Sequence, residues 1–398
     1  MSEWKKCTIG DLCDTISETY KKGHDKVVLI NTSDVLEGKV LNNAHVENKQ
    51  LKGQFKKTFK KDDILYSEIR PANRRYAFID FENTEDYIAS TKLMVLRPRK
   101  DVVLPEFLYL MLTSQTIIDE LQHLAETRSG TFPQITFSSE LATMPIMLPP
   151  FKIQKQITSV ISVLDGKIEL NNRINENLEQ QAQAIFKSWF VDFEPFGGVM
   201  PGKWCETVLR NIATISTKSI NPLKHPELYL EHYSIPAYDE QHYPVFEYAN
   251  EIKSNKYVLT KNSVMISKLN PATKRIWRPL CLSDNPVCST EFIVYEAINP
   301  KYKDYIYSLI DSQSFSDYLC AHTTGSTNSR QRATPKTTLD FPCVLPADDT
   351  MSQFCGVVSP IYNQIGANLI ENQRLAFLRD TLLPKLMNGE IDVSKVKI

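Results

Sequence analysis

Between Ile153 and Trp189 the chain repeats one spacing: Ile153, Ile157, Val160, Leu164, Ile168, Asn171, Asn175, Leu178, Ala182, Ile185 and Trp189 follow one another in steps of mostly alternating 4 and 3. This is the seam of a coiled coil. A doubled step of 4 near Leu164 and Ile168 predicts a local stutter, and the two asparagines predict a fixed register at some cost in stability. A helix over residues 153–190 would be roughly 57 Å long at 1.5 Å per residue, and a helix so long and narrow needs a partner. The far end of the chain supplies one. Met351, Val358, Ile361, Ile365, Leu369, Asn372, Leu375, Leu378, Leu382 and Leu386 form a comparable stripe. There Pro360 and Pro384 predict a kinked or divided helix, and Gly356 and Gly366 a weakened one.

The rest of the chain reads as two globular stretches of short strands followed by helices. β-type runs at Lys26 to Ile30, Ile64 to Ser67, Leu93 to Leu96, Ser263 to Ser267 and Phe292 to Tyr295 are punctuated by Gly, Pro, Asn and Asp. Phe107 to Leu124 and Tyr305 to Leu319 carry aromatic and aliphatic residues at helical spacing, which predicts core-facing helices of an α+β module.

The two stretches repeat each other at an offset close to 200. Trp4, Ile9, Asp11 and Leu12 fall opposite Trp204, Leu209, Asn211 and Ile212. In YSEIRPANRR and ISKLNPATKR, Ser67, Ile69, Pro71, Ala72 and Arg75 meet Ser267, Leu269, Pro271, Ala272 and Arg275. Further on the offset drifts down: Ser90–Thr91 answer Ser289–Thr290, Ser114–Gln115 answer Ser312–Gln313, and Leu148–Pro149 answer Leu345–Pro346. Duplication on this scale predicts two similar modules, each followed by a long helix. The expected organisation is a first module over 1–150, a helix over 151–196, a second module over 197–347, and a second helix with a tail over 348–398. The two helices would run antiparallel, with a pseudo-two-fold axis relating the halves.

Composition leaves the chain among ordinary globular proteins, with 42% hydrophobic and 23% charged residues. It has no run of 18 apolar residues and no N-terminal apolar segment, so a cytosolic protein without membrane contact is expected. The eight cysteines contain no C-x-x-C pair, which fits reduced thiols. His225, His232 and His242 lack metal-ligand spacing. Net charge is −1, yet charge is unevenly placed. Lys49 to Arg75 holds nine Lys or Arg against three acids, and Val264 to Leu280 holds four and none. A third cluster, Arg330, Arg332 and Lys336, sits among Ser, Thr, Asn and Gln. Arg with such polar residues on loops is the chemistry that contacts phosphates and base edges. Solvated loops explain any one stretch alone, but not recurrence of two of them in register.

The stretch LPPFKIQKQITSVISVLDGKIELNNRINENLEQQAQAIFKSWFVDFEPF, residues 148–196, resembles the central spacer region of specificity subunits of Type I restriction-modification systems. The stretch from Ile370 through LRDTLLPKLMNGEI resembles the matching distal region. RSGTFPQITFSSELATMPIMLPP and TTGSTNSRQRATPKTTLDFPCVLP close the two modules, so the resemblance covers essentially the whole chain. It implies two target recognition domains, each reading half of a split double-stranded DNA sequence, with the helices setting the gap. It also implies docking onto two methyltransferase subunits and, in the full complex, onto restriction subunits. S-adenosylmethionine, ATP and Mg are then expected on those partners and no cofactor on this chain.

The candidate DNA contacts in the first module are Lys56, Lys57, Lys60 and Lys61 for phosphates, with Arg70, Asn73, Arg74 and Arg75, and Arg128, Ser129, Thr131 and Gln134. In the second they are Lys268, Asn270, Thr273, Lys274, Arg275 and Arg278, with Thr324, Ser326, Asn328, Arg330, Gln331 and Arg332. No N-P-P-Y or D-P-P-Y tetrad for a flipped adenine and no G-x-x-x-x-G-K-[ST] loop is present, so the chain is expected to recognise DNA without catalysis. Two other readings stay open. Asp34 with Glu47 and Lys49, and Asp239 with Glu251 and Lys253, have the loose spacing of a metal-dependent nuclease. A helical scaffold without DNA contact is the other, and it leaves the paired basic loops unexplained.

Overall fold

The computed structural model describes residues 4–21, 23–49, 53–128, 132–324 and 331–393. They form two compact units, residues 1–166 with 375–398 and residues 167–374.

Each unit contains a module with two packed sheets, and the strand order is the same in both. In the first, Cys13–Ile16, Leu93–Pro98, Ile64–Ser67 and Tyr76–Phe78 form an antiparallel sheet in that order. The second sheet runs His45–Glu47, Lys26–Ile30, Tyr87–Ser90, Phe55–Lys57, with the central pair parallel. In the other module Ala213–Ser216, Phe292–Ala297, Ser263–Ser267 and Ile276–Trp277 repeat the first sheet. Val245–Tyr248, Tyr229–Tyr233, Pro286–Ser289 and Lys256–Val258 repeat the second, parallel pair included, with Ser219–Ile220 added at one edge. The central strands read as apolar runs because they are covered on both faces: Ile64–Ser67, Ser263–Ser267 and most of Leu93–Pro98 are buried. A strand at the start of each module, Lys5–Thr8 or Cys205–Val208, pairs with one at its end, Pro145–Leu148 or Pro342–Leu345, and closes it.

The helical stretches after the sheets are each two helices rather than one. In the first module α1 is Pro105–Leu112 and α2 is Gln115–Arg128, separated at Thr113 and Ser114. After α3 (Phe151–Phe190) and the short α4 (Ile235–Gln241), the second module repeats the pair as α5 (Lys303–Asp311) and α6 (Gln313–Ala321). Ser312 makes the break. Its hydroxyl caps α6 by accepting from the Phe315 amide at 3.2 Å, which offers the chain an alternative to continuing the helix.

A one-turn α7 (Pro335–Thr338) precedes α8, Asp348–Met387, and α3 and α8 are both 40 residues long. The expected division of the second long helix does not occur: α8 is continuous through Pro360 and Pro384. Each proline removes one amide donor, but Phe354, Val358 and Tyr362 are buried around Pro360, so tertiary packing outweighs the local defect. The residue four before Pro360 is Gly356, with open space around it, which relieves the crowding a proline ring brings to the preceding turn. The expected stripe on α8 is otherwise covered except at Leu378, which is 43% exposed.

Each long helix contributes to both cores. Ile157 and Ile161 of α3 pack in the first core, where Leu382, Leu383, Leu386 and Met387 of α8 join them. The second core takes Phe354, Val358 and Tyr362 from α8 and Ala182, Phe186 and Phe190 from α3. At the offset of 197 that relates the helices, Ile157 and Ile161 correspond to Phe354 and Val358. Within residues 167–374 the helices pair antiparallel through amides. Asn171 donates to Glu371 at 2.8 Å and to Asn372 at 2.9 Å, and Asn372 donates to Asn172 at 2.8 Å. Asn368 donates to Asn175 at 2.8 Å. In the other unit Arg379 Nη1 meets Asp165 at 2.9 Å.

Candidate nucleic-acid interface

The two basic loops recur in the structure as they do in the sequence. Each leaves the buried strand Ile64–Ser67 or Ser263–Ser267 through a serine whose hydroxyl accepts from the amide two residues on, at 3.0 Å to Ile69 and 3.2 Å to Leu269. The chain then enters a left-handed residue before a proline: Arg70 has φ 46° and Asn270 φ 48°. Asparagine tolerates this conformation, whereas arginine carries a steric cost in it. A tight turn follows, closed by the Asn73 amide on the Arg70 carbonyl and the Thr273 amide on the Asn270 carbonyl, both at 2.8 Å.

A second segment lies against each loop. The Arg70 amide donates to the Pro133 carbonyl at 3.1 Å and the Ile135 amide to the Glu68 carbonyl at 2.8 Å. In the other module the Asn270 amide donates to Gln331 at 3.0 Å and the Ala333 amide to Lys268 at 2.9 Å. Candidate groups far apart in sequence, 70–75 with 134 and 268–275 with 331–332, are thereby brought together. Ser129, Thr131, Ser326, Asn328 and Arg330 lie outside the described residues.

The side chains divide into those committed to the fold and those left open. Lys57 is half-buried and donates to the Leu93 carbonyl at 2.8 Å, and burial pulls its pKa down. Lys61 pairs with Glu82 at 2.6 Å, which raises its pKa. Arg74 bonds Gln115, and Arg75 donates to the carbonyls of Ser33 and Val35 at 3.2 and 3.3 Å. Arg128 pairs with Glu140 at 2.9 Å, and Gln134 donates to Glu68 at 2.9 Å. In the second module Lys274 bonds Asp311, and Arg275 makes a two-pronged pair with Asp239 at 2.6 and 2.8 Å. Thr324 donates to the Arg332 carbonyl at 3.3 Å, and Arg332 pairs with Glu291 at 3.0 Å. Arg278 is the most committed. It bonds Asp304 at 2.7 Å and Asn363 at 3.0 Å and lies 5.7 Å from the Tyr362 ring centre. Burial pushes Asp304 upward, but these bonds hold its carboxyl below the usual range.

The side chains of Lys56, Lys60, Arg70, Asn73, Lys268, Thr273 and Gln331 make no bond to a described residue, and Arg70, Asn73 and Thr273 are exposed. A free guanidinium or ammonium beside amide and hydroxyl groups on a rigidly held turn can contact phosphates or base edges.

The residues that set the charge of each loop are not all basic, and the sequence reading, which singled out Lys268, passed over Glu68, Lys92 and Glu291. Glu68 and Lys92 are neighbours, 3.7 Å apart between charged atoms, and the Glu68 amide bonds the Lys92 carbonyl at 3.1 Å. The equivalent pair is Lys268 and Glu291, with the amide-to-carbonyl bond at 2.9 Å. The two signs are exchanged between modules. Alignment of position 68 with 268 carries that signal.

The leading acid of each nuclease-like set is held by a residue outside the set, and Glu47 pairs within its own. Asp34 accepts from the Asn31 amide at 2.7 Å, Glu47 pairs with Lys49 at 3.2 Å, and Asp239 holds Arg275. Among the described residues no three of His, Cys, Asp or Glu gather as a metal site. No described helix is long and apolar enough to cross a membrane.

Comparison with known proteins bears on the whole arrangement. Residues 1–180 match the family model described as Type I restriction modification DNA specificity domain. The chain is 50% identical over 196 residues to the Type I restriction enzyme HindI specificity subunit of Haemophilus influenzae, across 49% of this chain and 42% of that protein. The chain thus spans less than half the length of that relative. It is 24% identical over 329 residues to the Type I restriction enzyme MjaIX specificity subunit of Methanocaldococcus jannaschii, across 75% of this chain and 71% of that one. The crystal structure of a Type I restriction-modification system S subunit from M. genitalium shares the fold, with a TM-score of 0.54, 16% identity and 96% of both chains covered. With a specificity-domain match over its first 180 residues and the fold of that S subunit over 96% of both chains, the chain is similar to the specificity subunits of Type I restriction-modification systems.

Proposed function

We propose that this chain is the DNA sequence-specificity subunit of a Type I restriction-modification complex. Each module reads one half of a bipartite double-stranded target. The paired helices set the gap between the halves and hold two methyltransferase subunits, and restriction subunits join in the full complex. The chain performs recognition without catalysis, and S-adenosylmethionine, ATP and Mg belong to its partners. One observation carries the reading: two modules of the same strand order present the same two-segment loop, each with unpaired polar and cationic side chains at its turn.

Within that interface Arg70, Asn73, Lys268 and Thr273 are the base-reading candidates, because they leave the turn with nothing bound. Lys56 and Lys60 are exposed and suited to phosphates. Arg75, Arg275 and Arg278 act one step back, by holding the loops in place.

The test is the N6-methyladenine map of a genome carrying this chain with its neighbouring methyltransferase. A split motif with one fixed gap is expected. Arg70→Ala should relax one half and Lys268→Ala the other. Methylation that ignores both substitutions, or that needs no copy of this chain, would overturn the assignment.

A further inference from the structure

Residues 167–374 enclose a crevice of about 90 Å³ whose walls include Glu179 of α3, Tyr238, Trp277, Tyr307, Asp311 and Tyr362. Four aromatic rings and two carboxylates therefore share a space large enough for a small planar group or a few waters. Lys274 neutralises Asp311, whereas Glu179 makes no hydrogen bond or ion pair with a described residue. The indole N–H of Trp277 is buried without an acceptor, although the residue is only 5% exposed.

The first module shows what such a place holds. Tyr109 and Asp165 stand there where Tyr307 and Tyr362 stand here, at offsets of 198 and 197. Arg379 of α8 reaches in, bonding Asp165 at 2.9 Å and Asp380 at 2.8 Å, with Tyr76 and Tyr109 close enough to feel its charge. The α3 residue equivalent to Arg379 is Ala182. The second module thus keeps one ring, Tyr307 for Tyr109, puts Tyr362 in place of Asp165, adds an unpaired acid one turn before Ala182, and has no cation at the place of Arg379, the arginine that lines it, Arg278, being held by Asp304 and Asn363.

We propose that this crevice binds the guanidinium of an arginine side chain supplied by another polypeptide, with Glu179 as its counter-ion and the aromatic rings as its walls. Aromatic faces and a carboxylate together favour a flat, weakly hydrated cation over a strongly hydrated one. The peptide carbonyl that accompanies an arginine is an acceptor for Trp277 N–H, which a bare metal ion would not supply. The crevice takes this role whether or not the loops read DNA, since none of the unpaired groups of the turns lines it.

The probe is N-acetyl-arginine amide, titrated into the full chain while Trp277 fluorescence is followed, with Trp277→Phe as the blank. N-acetyl-citrulline amide, of the same shape and uncharged, is the control. A saturable change with the arginine probe alone is expected, and Glu179→Gln should weaken it about tenfold or more. The pH dependence supplies a second readout that needs no variant. Loss of hydration at the crevice wall and then Asp311 raise the Glu179 carboxyl to about 7, although the residue as a whole is exposed. Binding should strengthen as pH rises through that value. The other charged neighbours are Glu176, Asp311, Lys274, His242 and Arg278, and burial keeps His242 below its ordinary range. Equal response to the two probes, or binding indifferent to both Glu179→Gln and pH, would overturn the proposal.

Discussion

Arg70 and Asn270 occupy the same left-handed turn, and the two residue types do not bear it equally. A side chain with a full Cβ in that region costs about 1 kcal/mol or more, and Asn offsets part of this by local hydrogen bonding. Arg70→Gly should therefore raise the urea midpoint of unfolding while removing about 1–3 kcal/mol of discrimination at one base position. Stability and recognition moving in opposite directions would mark Arg70 as kept for what it contacts. Lys56→Ala, in contrast, should weaken binding to all sequences alike and lower the salt dependence by about one unit of slope. Competition binding on matched and mismatched duplexes separates the two. Glu179 gives a different signature. Its folded pKa of about 7 lies above the ordinary 4.5, so its contribution is fully present below pH 4.5 and is lost as pH rises toward 7. Glu179→Gln should match the parent at pH 4 and unfold at a higher temperature than it at pH 8. Which arginines would be free was beyond the sequence, because Arg70, Arg74 and Arg75 are chemically alike. Only the positions of Gln115 and of the Ser33 and Val35 carbonyls distinguish them.

Among the elements, the long helices were the most legible. Every seam position named from Ile153 to Trp189 is at least partly covered, but the buried face is wider than the seam, because Ile161, Phe186 and Phe190 beside it are buried in the module cores. The prolines of α8 misled because the local rule omits what Phe354, Val358 and Tyr362 gain by staying in line. Phe354→Ala should cost about 3–5 kcal/mol, a size expected only where a fully buried ring leaves a cavity. The asparagine layer is uneven. Asn171 satisfies two acceptors, whereas the Asn175 amide N–H₂ is buried without a partner. Asn171→Leu should therefore destabilise by about 1–3 kcal/mol, the cost of stranding buried polar groups, and Asn175→Leu should cost less. Denaturation midpoints of the two single variants give the order directly, and the reverse order would mean that the amides are not oriented as described.

At the scale of the molecule, the repeat offset in the sequence foretold two similar modules, but neither their shared strand order nor how the chain divides into compact parts. The expected boundaries separate modules from helices, while the cores use both helices at both ends. A chain ending at residue 198 loses Leu383, Leu386 and Met387, which cover the first core beside Ile157 and Ile161. It should expose that apolar surface, bind a hydrophobic dye and unfold at lower urea than the intact chain.

The exchanged pair, Glu68 with Lys92 and Lys268 with Glu291, bears on how such a gene can be reshuffled. Transfer of a whole module keeps Glu68 beside Lys92 and Glu291 on the backbone of Lys268 with Arg332 as its ion-pair partner. A crossover between two duplicated copies that falls between the codons for 68 and 92 joins Glu68 to Glu291, or Lys268 to Lys92, and sets like charges side by side under the reading loop. Viable recombinants should then have their breakpoints clustered outside this interval, so the pair marks the segment that is inherited as one block.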